Sequence, residues 1–190
     1  MKKGIKLMGV DDAPFYFRED KTIVVGVVMR GGEYIEGVLR REVTVDGEDA
    51  TDTCIDMVLH TRHKQQLKAL LLDGVSLGGF NVVDINRIHT ETGIPVITVT
   101  RDKPDLNKIQ SALKKHFNDW EKRLNIITTG ELHRVETNYN PIYVKSAGIS
   151  IEDAKEIIRL STIRGVIPEP IRVAHIIASA IIRGESYGKA

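Results

Sequence analysis

Aspartates stand where apolar runs end, and that placement is the part of this sequence with chemical content. Asp11 and Asp12 close the run IKLMGV (residues 5–10), and Asp73 closes ALLL (69–72). Each run reads as a buried strand, and in an open α/β sheet functional groups gather at the carboxyl ends of parallel strands. Two carboxylates converging there would suit Mg²⁺, which takes one or two carboxylates and keeps several of its waters. The competing reading is local: Asp-Asp and Asp-Gly are common turn pairs, because a short carboxylate bonds its own backbone. A third acidic ligand would come from Glu42, Asp46, Asp49 or Asp52. Asp46 sits in an Asp-Gly turn, and Asp49 just precedes a helix, where capping is the ordinary role. His60, His63, His89, His116 and His133 lack the spacing of a zinc site, and the lone Cys54 can form neither an internal disulfide nor a metal-binding pair.

A strand-rich first half must position these groups. Residues 22–30 (TIVVGVVMR) are dense in β-branched side chains, and Gly31-Gly32 turns the chain into 34–45 (YIEGVLRREVTV). Two such runs predict an antiparallel hairpin. Beyond Asp46-Gly47, the spacing of Cys54, Ile55, Val58 and Leu59 predicts a helix capped by Thr51 or Asp49. After the strand 69–72 come a Gly-rich turn (GVSLGG, 74–79), a helix at about 81–91 and a strand over 94–99. From Pro104 a long amphipathic helix is expected to carry Leu106, Ile109, Leu113, Phe117 and Trp120 on one face. The segment 126–145 gives only an edge strand around 141–145. Ser150 with Asp153 marks a capping box for a helix over 151–161, and Pro170 suits the start of a last helix, 170–183. The sum is an α/β fold with a mixed sheet, antiparallel on one side and parallel on the other, flanked by helices.

At 190 residues the chain fits one domain, 1–190, and 42% hydrophobic with 28% charged residues is ordinary globular composition. A net charge of +1 argues against a packaging protein that coats nucleic acid, so any contact with nucleic acid must use local patches. No apolar run approaches the roughly 18 residues of a membrane span. The opening MKKGIKLMGVDD, with Lys2 and Lys3, reaches two aspartates before an apolar stretch of signal-peptide length. With a single cysteine, this predicts a reducing, cytoplasmic setting.

Several segments, in order, resemble endonuclease V: GVDDAPF (9–15), YIEG (34–37), LLDGVSLGG (71–79) with PVITVTR (95–101), YVKSAGISIEDA (143–154) and PEPIRVAH (168–175). As a complete pattern, GVDDAPF, TVDGEDAT and LLDGVSLGGFNVVD look like the archaeal endonuclease dU family, a distant relative of endonuclease V. The resemblance implies an RNase H-like three-layer fold and a metal-dependent endonuclease acting on DNA or RNA, with modified or damaged nucleotides as candidate targets. Asp11 and Asp73 would take the places of two metal-binding aspartates, with Mg²⁺ or Mn²⁺ as the ion. Asp49 is the substitute for a third, catalytic carboxylate, with Asp46 and Glu42 in reserve. Arg101 falls where endonuclease V has a lysine and could offset charge on the phosphate; otherwise it is a surface arginine. Tyr34 and Ile35 correspond to a wedge that stacks on a base, and the turn from Gly74 to Gly79 would let a strand approach closely.

The departures are specific. Arg41-Glu42 resembles an Arg-Glu pair that precedes the first helix of endonuclease V, but seven residues intervene here. The histidine expected after the glycine that corresponds to Gly148 is absent, with Ile149 in its place. The prolines flanking the Tyr-Ile wedge are Glu33 and Glu36. Arg172 and His175 lie on a helix whose other face is apolar and are expected to pack and hydrogen-bond rather than do chemistry. Two rival readings stand beside the nuclease: a non-catalytic nucleic-acid-binding or scaffold domain with a degenerate metal site, and an enzyme acting on a small phosphorylated substrate.

Overall fold

Near-continuous apolar strands need cover on both faces, and the architecture supplies it. The computed structural model describes residues 4–16 and 19–187, so Lys2 and Lys3 lie outside it. In chain order the elements are β1 (Lys6–Asp12), β2 (Lys21–Arg30), β3 (Tyr34–Thr44), α1 (Ala50–His60), β4 (Leu67–Asp73), α2 (Ile85–Thr92) and β5 (Val96–Thr100). Then follow α3 (Leu106–His116), α4 (Trp120–Thr128), β6 (His133–Val135), β7 (Ile142–Ala147), α5 (Ile151–Ser161) and α6 (Glu169–Arg183). The described strands form one seven-stranded sheet in the order β3-β2-β1-β4-β5-β7-β6. β4 runs parallel to β1 and β5, while β2–β3 and β7–β6 are antiparallel.

Alternate residues of the central strands feed two different layers. Met8, Val10, Val24, Leu70 and Leu72 pack on Cys54, Met57 and Val58 of α1 and Ile88 of α2. Their neighbours Leu7, Ala69, Leu71, Ile97 and Val99 face the other way, onto Ile157 of α5 and Ile171 of α6. Val25, Val27 and Met29 of β2 meet Ala174 and Ala178 of α6. Each fully buried aliphatic side chain contributes about 1.5–3 kcal/mol, so both layers are needed to hold the sheet between them. No helix among the described residues is long and apolar enough to cross a membrane.

Three expectations need correction. The sheet is antiparallel on both flanks rather than one, and β7 lies inside it, because the short β6 covers its outer edge. The helix expected from Pro104 through Trp120 is two helices. Phe117 leaves helical geometry (φ −132°, ψ 130°) and meets Phe80 edge to face at 5.6 Å. Asp119 then pairs with Arg123 (2.9 Å), whose guanidinium lies 4.3 Å from the Phe117 ring centre and donates to the Gly47 and Phe80 carbonyls. α2 begins at Ile85 rather than near residue 81, since Asp84 is its cap and accepts from the Asn86 and Arg87 N–H groups. At α5, Ser150 accepts from Asp153 N–H (3.1 Å), as a capping box requires.

Candidate metal centre

Strand parity decides which carboxylates meet. Leu7 and Gly9 on β1, and Ala69 and Leu71 on β4, point to the α5–α6 layer, so Asp11 and Asp73, two residues farther along each strand, point there too. The parallel register pairs Gly9 with Leu71 and Val10 with Leu72. One more step sets Asp11 beside Asp73, on strands about 4.8 Å apart. Asp12 has the opposite parity and accepts from Gly78 N–H at 2.9 Å, in the glycine-rich loop after β4.

α6 closes this face from above. A Cβ on Gly9 would lie 2.1 Å from the carbonyl carbon of Pro170, so glycine is what lets the start of α6 rest on β1. About one and a half turns later His175 reaches the strand end, where its Nδ1 lies 2.8 Å from Asp11 Oδ2. Its Nε2 is buried and has no hydrogen-bond partner. Arg172, on the same helix, is held by Glu169 at 2.6 Å.

The electrostatics describe a site short of positive charge. Burial, and then the charge of Asp11, pushes Asp73 up to about 6, with His175 and Arg101 pulling the other way. Burial and Asp11 push Asp12 up to about 7 against the lowering effect of the Gly78 N–H. His175 is raised, first by its bond to Asp11 and then by the charges of Asp11, Asp73 and Asp12, despite burial. Two hard oxygen ligands on one face, with the charge of Asp11 opposing ionisation of Asp73, are a donor set that fits a divalent ion with waters completing its shell. Among the described residues, no group of three or more acidic, histidine or cysteine side chains is arranged to hold an ion. The fit therefore rests on the carboxylate pair.

The other candidates from the sequence lie elsewhere, some near and some far. Asp49 is not brought to the pair. Its carboxylate accepts from Thr44 N–H (3.1 Å), Thr44 Oγ1 (2.8 Å) and Asn81 Nδ2 (2.6 Å), which ties the end of β3 to the start of α1. Burial would raise its pKa, but those hydrogen bonds outweigh it and the net shift is downward. It sits at the N-cap position of α1 without making a side-chain cap bond. Glu42 is exposed and pairs with Arg40 (2.8 Å). Asp46 adopts a positive φ of 57° and accepts from Phe80 N–H (2.8 Å), so it anchors the same loop that Asp12 holds. Gly79 in that loop has φ +79°, and a Cβ there would come 2.3 Å from Asp46 Oδ1; Gly74 has φ +75° where the chain leaves β4. Arg101 is exposed just past the end of β5, the neighbour of β4, and its charge acts on Asp73. Tyr34 and Ile35 are exposed at the β2–β3 tip. Arg30 pairs with both Lys6 and Tyr34, whereas Asp11 pairs with Val25, so the tip is displaced from the carboxylates by about five residues, roughly 16 Å of strand.

What the sequence does not show is that His175 reaches Asp11. The hydrogen bonding expected of this helix position is present, and its partner is the carboxylate at the strand end. The one signal available was a polar residue on the α6 face that also carries Ile171 and Ala178 to the sheet.

Comparison with known proteins follows this geometry. A UPF0215 protein of Methanothermobacter thermautotrophicus is 50% identical over 192 residues, covering 100% of this chain and 94% of its own. A crystal structure of a protein of unknown function from Archaeoglobus fulgidus matches with a TM-score of 0.86 at 43% identity, over 95% of this chain and 99% of that one. Endonuclease V of Ciona intestinalis, solved with a 24mer DNA containing an inosine, matches with a TM-score of 0.63 at 16% identity, over 96% and 87% of the two chains. That likeness shows a shared RNase H-like fold. The family model for endonuclease dU matches residues 3–182, nearly the whole length, and the chain belongs to that family.

Proposed function

We propose that this protein is a divalent-metal-dependent endonuclease in which Asp11 and Asp73 hold the ion beneath a phosphodiester of DNA or RNA. The observation that carries the reading is the adjacency of two same-face carboxylates at the ends of neighbouring parallel strands, closed over by His175. A bound Mg²⁺ or Mn²⁺ would supply an activated water and offset charge on the leaving oxygen. Asp11 and Asp73 would hold that ion, and their adjacency on one face sets where a phosphate could approach it. His175 would donate from Nδ1 to Asp11 and so orient that carboxylate, while its Nε2 stays buried without a partner. Arg101 adds positive charge where a phosphate would sit. The family's name, and the inosine-containing DNA bound by the Ciona enzyme, make uracil- and hypoxanthine-containing strands the first substrates to try.

With Mn²⁺, which tolerates imperfect carboxylate geometry, the wild-type protein is expected to nick at least one of single-stranded DNA, RNA, or duplexes carrying uracil or hypoxanthine. Asp73→Ala should lose roughly 100-fold or more of that activity while keeping its fold. Cleavage surviving in that variant, or none by metal-bound wild type, would overturn the nuclease. A second reading draws on Asp49. With that carboxylate committed to Thr44 and Asn81, the pair lacks a third acidic ligand, as in a nucleic-acid-binding domain that has kept the fold and lost catalysis. Metal and nucleic-acid binding without cleavage would select it.

A further inference from the structure

We infer that a trough leading from Arg101 past Tyr139 to Lys155 is the path of one nucleic-acid strand away from the carboxylate pair. The inference rests on the nuclease reading for the identity of the strand, and on separate residues for its location.

Two open grooves, of about 610 and 710 Å³, adjoin and share Tyr139, Gly165 and Val166. The first carries Arg101, Lys103 and Arg164, and the second carries Lys155 and Arg159. Among the described residues none of these five cations has an ion pair or a hydrogen bond, and all are exposed. The other two arginines of the trough are already committed, Arg172 to Glu169 and Arg134 to Glu136. In a chain with 27 basic and 26 acidic residues, five unpaired cations lining one trough form a local concentration of charge, with Asp102 as the lone acidic opponent in the first groove. Its first cation, Arg101, lies two residues past Val99, the register partner of Asp73 on β5, so the trough begins beside the centre.

The aromatic residue distinguishes the occupant. Tyr139 is 71% exposed at the junction of the grooves, with basic clusters on either side. A base can stack on such a ring only if it is free of a duplex, whereas phosphates on either side can reach the cations. An acidic peptide would use the charges and gain nothing from the ring.

Binding of fluorescent DNA and RNA strands of about 15 nucleotides, measured in EDTA, separates this inference from catalysis. Arg159→Ala/Arg164→Ala, confirmed folded by circular dichroism, should weaken binding and lower the slope of log K against log salt by about 1.4, or roughly 0.7 for each lost phosphate contact. Tyr139→Ala should weaken the normal strand roughly tenfold and leave an abasic strand of equal length unchanged. Wild-type affinity and salt slope in the double variant, or equal weakening of both strands by Tyr139→Ala, would overturn the path. Trough-dependent binding without any Mn²⁺ cleavage would uphold the path while removing the nuclease. Cleavage with trough variants that bind normally would do the reverse.

Discussion

Placing Asp73 beside Asp11 under a helix works against the fold at neutral pH, because burial and the Asp11 charge oppose ionisation of Asp73. Asp73 rises from 3.8 to about 6, and Asp12 from 3.8 to about 7. A carboxylate with a raised folded pKa binds protons more readily when folded. The stability it contributes is full below about 4 and is lost as pH climbs through 6 to 7. His175 acts in the same direction, since its raised pKa gives stability that is present below 6.5 and lost above the folded value. The metal-free protein should therefore melt at a higher temperature at pH 5.5 than at pH 8. Mg²⁺ or Mn²⁺ at about a hundredfold excess over Kd should raise Tm by roughly 5–10 °C at pH 8, and by less at pH 5.5. Asp73→Asn should raise the metal-free Tm at pH 8 and shrink the response to metal. A thermal scan with a Tm indifferent to pH and to both ions would remove the metal centre. At this scale the sequence was half legible. Asp11 and Asp73 announce themselves by ending apolar runs, but His175 meets Asp11 across 164 positions, and no local spacing can encode that. Asp49 misled for a physical reason: a carboxylate before a helix has backbone and side-chain donors within reach, and here Thr44 and Asn81 take it.

Elements were legible where one periodicity governs them and obscure where a long-range contact intervenes. The hairpin, β4, β5 and the capping box of α5 follow from β-branched runs and a serine with its aspartate. The break between α3 and α4 does not, because it depends on Phe80 and Gly47, distant in sequence, receiving Phe117 and Arg123. Two substitutions test how elements hold the centre. Gly9→Ala forces a methyl group against the backbone of α6 and should cost about 1–3 kcal/mol or more, lowering Tm by roughly 5–10 °C. It should also depress activity by displacing His175, and a Tm within a degree of wild type would contradict the close approach. Lys145 is buried on β7, its pKa lowered by that burial, and it donates to the carbonyls of Ile127 in the last turn of α4 (2.5 Å) and of Thr129, which caps it (3.0 Å). Lys145→Met leaves both without that donor and should cost about 1–3 kcal/mol by urea denaturation, with nicking unaffected.

Across the whole molecule, the strand order separates two regions that the resemblance had joined. β1 and β4 carry the carboxylate pair at one end, and the β2–β3 tip with Tyr34 and Ile35 projects from the other. Tyr34→Ala is accordingly expected to leave the nicking rate on a short strand within about twofold, since sites this far apart act independently. Arg101→Ala should lower it by about 100-fold, the usual cost of losing a group aimed at developing charge. Steady-state rates on the same oligonucleotide decide between these outcomes, and a larger loss for Tyr34→Ala would return the tip to the site. The mixed sheet was legible from a hairpin followed by alternating strands and helices. Its second antiparallel flank was not, because nothing in the local pattern of β7 sets its direction against β5, and β6, three residues long, leaves no pattern.

The pairing of Asp11 with His175 also sets an order in time. His175 leaves the ribosome 164 residues after Asp11. At about 5–20 residues per second, roughly 10–30 s separate them. Through that interval the sheet can form with its carboxylates uncovered, while the helix that completes the centre does not yet exist. Until α6 has emerged and folded onto β1, a nascent chain would thus carry no assembled centre.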